Sequence, residues 1–164
     1  MLIADKNILP AASSDNAFAS RRALMAVLAG ANAGEIERGL KRFDGDFGAT
    51  DLRRAETGLV MLRGRIGGNG AAFNLGEATV TRAVVQLASG EKGFAYVLGR
   101  DRNKARLAAL CDALWQSKRH RQAIEQNVFM PLQQAQQSKR ALARAQTAAT
   151  RVDFFTLVRG EDPS

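Results

Sequence analysis

The chain has one cysteine, Cys111, one histidine, His120, and three prolines in 164 residues. A structural zinc site takes about four Cys or His ligands, so that class is excluded, as is any intramolecular disulfide. A nucleophile activated by imidazole has only His120 to use. That residue sits in the basic run Lys118-Arg119-His120-Arg121 and reads as a solvated side chain. No apolar run reaches the roughly 18 residues of a membrane span. The N-terminus places Asp5 beside Lys6 and lacks the apolar stretch of a secretory signal, so the expected compartment is the cytoplasm. Aromatics make up 6% of the chain, are seldom interleaved with basic residues, and form no familiar nucleic-acid module.

Basic charge is abundant but unevenly placed. The net charge is +8. Residues 100–159 hold 12 Lys or Arg against 4 Asp or Glu, and the remainder is balanced. A free basic module that binds nucleic acid or serves as a scaffold is the alternative that this surplus raises.

Periodicity gives an α+β chain. Its expected parts are short N-terminal helices, an antiparallel meander of about three strands, and long C-terminal helices packing on the sheet and extending from it. Residues 1–15 are expected to be disordered, 16–130 to form the core domain, and 131–164 to be an extended helix with a docking tail. Ser14 or Asp15 is expected to cap a helix over 16–29, and a second helix is expected over 34–43. Strand one, 52–66, is apolar on both faces at Leu59-Val60-Met61-Leu62, which predicts a central strand. Strand two covers 73–87 with a bulge at Gly76, and strand three covers 93–98. Asp101 is expected to cap a helix whose stripe of Leu107, Leu110, Cys111 and Leu114 covers the sheet and whose pattern runs on to Met130, where Pro131 kinks or ends it. The glutamine-rich helix beyond Pro131 has a thin apolar side and needs something to pack upon.

Gly67-Gly68-Asn69-Gly70 lacks the Lys-Ser/Thr of a phosphate loop and opens no helix, so it reads as a hairpin turn needing positive φ. Arg63, Arg65, Arg82 and Arg100 lie at strand positions or ends. Arg63 and Arg65 share a face, and Arg82 is expected to join them, as candidates for contacting an anionic substrate. The alternative is a solvated or interface face paired with Glu56 and Glu77. No catalytic set and no metal site can be assembled from the acids. In the tail, Phe154, Phe155, Leu157 and Val158 are candidate partner anchors; the alternative is a last strand or helix turn that closes this domain's own core.

Three blocks carry a family resemblance. The first is Glu56-Thr57-Gly58-Leu59-Val60 with Arg65, the 67–70 turn, Phe73, Gly76, Thr79 and Thr81-Arg82-Ala83. The second is Tyr96-Val97-Leu98-Gly99-Arg100-Asp101, Ala105 and Asp112-Ala113-Leu114. The third is Arg151-Val152-Asp153-Phe154-Phe155-Thr156 with Val158-Arg159-Gly160. In this order and spacing, over about residues 16–162, the chain resembles the PhnG family, the G subunit of the bacterial carbon–phosphorus lyase core complex. The resemblance implies an accessory component. With H, I and L subunits, such a chain is required to transfer the ribose triphosphate of ATP to an alkylphosphonate, giving a ribose 1-phosphonate 5-triphosphate as adenine leaves. It further implies a core with two copies each of G, H, I and J, with the nucleosidase-like chemistry on the I subunit. ATP is then a substrate of the complex, no cofactor is expected on this chain, and no catalytic residue carries over.

Overall fold

The computed structural model describes residues 11–43 and 47–150. Two helices, α1 (Ala11–Gly30) and α2 (Ala33–Leu40), precede a sheet of β1 (Thr50–Arg65), β2 (Ala72–Gln86) and β3 (Lys92–Leu98). Then come α3 (Arg102–Gln116), the single turn α4 (Arg121–Ile124), a π-helical stretch Glu125–Phe129, and α5 (Met130–Ala149). The architecture is α+β, as the periodicity predicts.

The sheet is an antiparallel meander in the order β1-β2-β3. Its first turn is closed by Gly67 and Gly68 at φ 58° and 83°, a conformation that side chains with a Cβ resist. β2 is bulged where expected. Leu62 faces Gly76 and Arg63 faces Asn74, so Leu75 is the extra residue.

The core lies between one sheet face and the helices. β3 alternates strictly, with Gly93, Ala95 and Val97 buried and Phe94, Tyr96 and Leu98 exposed. The inward residues are small because α3 lies directly on the strand: a Cβ added at Gly93 would sit 1.9 Å from the Ala109 carbonyl oxygen. Leu107, Leu110, Cys111 and Leu114 of α3 are buried against this face, with Leu24 and Leu28 of α1, Ile36 of α2 and Ile124 behind them. Asp101 caps α3 by accepting from Lys104 N–H at 2.8 Å, and Asn32 and Glu35 form a reciprocal capping box on α2.

Five expectations are corrected. Among the described residues β1 is an edge strand, not the central one; its apolar residues on both faces express a demand for burial that no described neighbour meets. α1 starts at Ala11, which puts Ser14 and Asp15 inside the helix instead of at its cap and makes residues 11–15 helical. The helix after Asp101 does not run on to Met130: Ser117 turns extended, and its carbonyl accepts from His120 and Arg121 N–H at 3.1 and 2.9 Å, which starts a new helix. Pro131 falls in the first turn of α5, where the preceding π turn, with Met130 N–H reaching back to the Glu125 carbonyl, accommodates the missing donor. His120 is half-buried and meets Phe47 edge-on at 5.6 Å, so it is not a freely solvated residue.

Among the described residues, the contacts of α5 with the body lie in its first half. Leu132 is buried, Gln136 Nε2 donates to the Val27 carbonyl at 2.7 Å, and Lys139 reaches Glu35 at 3.1 Å. Residues 137–150 are exposed throughout. Among the described residues no helix is long and apolar enough to cross a membrane.

Candidate partner interface

The sheet face opposite α3 is open among the described residues. Phe94, Tyr96 and Leu98 stand on it at 51%, 57% and 75% exposure. Beyond Val80 the β1–β2 hairpin extends past the end of β3 and has lost its helical cover. Leu59 and Met61 are more than half exposed on one face, and Leu62 and Phe73 project from the other. Among the described residues the exposed large apolar side chains fall almost entirely in the sheet and its turn, Met130 and Leu142 excepted. On the open face, Leu62 and Phe73 of the hairpin share the side of Phe94, Tyr96 and Leu98, and an exposed apolar set of this kind marks a candidate interaction site.

The register separates the four candidate arginines. Arg82 is paired with Glu56 on the open face, whereas Arg63 and Arg65 have the parity of Leu59 and Met61, on the other face of the hairpin. Arg82 therefore does not join them, because sheet parity puts its side chain on the opposite side. Its Nε donates to Glu56 at 2.6 Å and an Nη to the Tyr96 hydroxyl at 3.3 Å. That contact holds the Glu56 carboxyl below the usual carboxylate range, with Arg53 adding a smaller share. Arg65 donates to the Gly70 carbonyl at 3.3 Å and braces the turn. Arg63 and Arg100 are exposed. With Arg82 on one face and Arg63 and Arg65 on the other, the four form no single cluster. The tail candidates Phe154, Phe155, Leu157 and Val158 lie outside the described residues.

The buried titratable groups among the described residues, Asp112 and Cys111, are structural. Asp112 is fully buried and accepts from Arg21 Nε and Nη2 at 2.7 and 2.6 Å and from Phe94 N–H at 2.9 Å, tying α1, α3 and β3 together. Burial pushes the Cys111 thiol far up, so it is no nucleophile. Among the described residues no group of three His, Cys, Asp or Glu side chains is placed to hold a metal ion. A cavity of about 290 Å³ between α2 and α5 is lined by Arg38 and Arg42, but Glu35 occupies it too and is engaged by Lys139 and the Asn32 N–H.

The outward residues of β3 were not singled out from sequence. Their signal is size alternation: Gly93, Ala95 and Val97 are small enough to lie beneath a helix, and Phe94, Tyr96 and Leu98 are not.

Comparison with known proteins fits a surface of this type. The family model described as phosphonate metabolism protein PhnG matches residues 19–160. The chain is 49% identical over 150 residues to the alpha-D-ribose 1-methylphosphonate 5-triphosphate synthase subunit PhnG of Rhizobium meliloti (strain 1021), covering 92% of this chain and 96% of that protein. The open sheet thus sits in a chain that belongs to the PhnG family of phosphonate metabolism proteins.

Proposed function

We propose that this chain is an accessory subunit of a complex that transfers the ribose triphosphate of ATP to an alkylphosphonate, and that it docks through its open sheet face. The observation that carries the docking role is the apolar field of Phe94, Tyr96 and Leu98, continued by Leu62 and Phe73 of the projecting hairpin and uncovered among the described residues. Such a field is costly to leave in water and suits the centre of a subunit interface with a polar rim. The name of the Rhizobium relative supports the choice of complex.

In this reading the partners are the H, I, J and L subunits, with two copies each of G, H, I and J, in the cytoplasm. ATP is handled by the assembly, and this chain brings no cofactor of its own. Phe154, Phe155, Leu157 and Val158 serve as further anchors. Arg63, Arg65 and Arg100 remain available to an anionic substrate; Arg82 becomes available only by leaving Glu56.

The test is reconstitution. Adenine release from ATP and methylphosphonate is measured with the partner subunits alone, with this chain alone, and with both. Turnover only in the full mixture supports the role. Turnover by the isolated chain contradicts it, and so does undiminished turnover without it. Arg100→Ala that stops adenine release while the complex still assembles would move this chain into direct substrate contact.

A further inference from the structure

The open face is one unsatisfied surface of the sheet; the outer edge of β1 is another. Between Thr50 and Glu56 that edge is irregular, with register shifts after Asp51 and Arg53, and Asp51 is tied to α3 through Arg106 at 2.9 Å. From Glu56 onward β1 runs regularly to Arg65, the bulge at Leu62/Arg63 belonging to β2. Among the described residues no strand pairs with its outer side.

Sheet edges of soluble proteins are normally blunted by short strands, bulges, proline or lysine. Residues 56–65 have no proline and no lysine, and their apolar side chains show on both faces, Leu59 and Met61 on one and Val60 and Leu62 on the other. In an antiparallel ladder about half of an edge strand's N–H and C=O groups point away from its only partner. Here that row is left bare beside exposed apolar side chains, the combination that calls for another strand.

We propose that residues 56–65 of β1 receive a β-strand from a different subunit, one that is apolar on both faces and carries acidic residues beside Arg63 and Arg65. The proposal rests on the subunit reading above, which supplies a hetero-partner. Charge selects the donor. Arg53, Arg54, Arg63 and Arg65 line β1 against Glu56, which is already held by Arg82. In-register antiparallel pairing of 56–65 with a second copy would set Arg65 opposite a Glu56 that Arg82 and Arg53 already engage, and Arg63 opposite Gly58, so a copy of this chain offers the two arginines no free carboxylate and an acid-flanked strand does.

The test is residue-resolved amide hydrogen exchange on the purified hetero-complex. With a strand in place, the amides of 56–65 exchange at least about a hundredfold more slowly than those of the 67–70 turn, at consecutive residues. An empty edge leaves alternate amides of 56–65 as fast as the turn, which overturns strand addition while the complex itself, and so the subunit reading, stands. Failure to recover any complex from co-expression removes the subunit reading first. Equal protection in a dilute, monomeric isolated chain would place the chain's own tail on the edge, and protection that appears only with self-dimerisation would place a second copy there; both overturn the proposal. The double variant R63E/R65E is expected to weaken assembly at least about tenfold, and unchanged affinity contradicts the acidic flank.

Discussion

Asp112 shows what a single buried charge does here. Its carboxylate satisfies the Arg21 guanidinium and the Phe94 N–H at once, so deleting it strands two donors. Asp112→Ala is expected to cost about 3 kcal/mol, read from urea denaturation, and Asp112→Asn less, because the amide oxygen can still accept from Phe94. Glu35 gives the pH dependence. The Asn32 N–H, and after it Lys139, hold its carboxyl below the usual carboxylate range. The folded value is therefore lower than the unfolded one. Its contribution is complete above the unfolded value and disappears as pH falls through the depressed folded value. Thermal melts should show a loss on acidification below about pH 4 that Glu35→Gln reduces. The capping residues Asn32 and Asp101 have local partners three residues away, and Asp101 could be read from sequence. The Arg21–Asp112 pair spans 91 residues, and nothing local announces it.

Among the elements, the strands and their turns were readable because glycine clusters punctuate the β-branched runs. The rank of β1 within the sheet was not. Apolar residues on both faces were taken for a central strand, yet periodicity records how much burial a strand wants and not which molecule provides it. The run from Asp101 to Met130 misled for a related reason: helical spacing at Ile124 and Val128 continues across Ser117, and only the three-dimensional turn at Ser117 reveals the break. Tight packing of α3 on β3 gives an element-scale prediction. Gly93→Ala must push the helix off the strand, since the new methyl would overlap the Ala109 carbonyl and the Ala113 nitrogen. A loss of about 3 kcal/mol, the upper end for overpacking, is expected in chemical denaturation. A stability equal to wild type would mean that α3 does not sit where it is described.

For the molecule as a whole, the large apolar side chains divide into two sets. One fills the space between the sheet and its helices; the other, on the open face and hairpin, has no cover among the described residues. The resemblance in sequence points to a multi-subunit role, and the geometry offers a candidate surface for it on β1 and β3, beside tail anchors that lie outside the described residues. The candidate arginines turned out to be divided between two faces, which parity across a bulged ladder determines and sequence spacing alone could not. The central claim is that this open sheet is an interface to another subunit. Its most direct test is co-purification of the double variant Phe94→Lys/Leu98→Lys with the partner subunits, alongside circular dichroism of the same variant. Both side chains are more than half exposed, so the fold should tolerate lysine at either position. A folded variant that no longer enters the complex is the predicted result; a variant that assembles as fully as wild type would contradict the account.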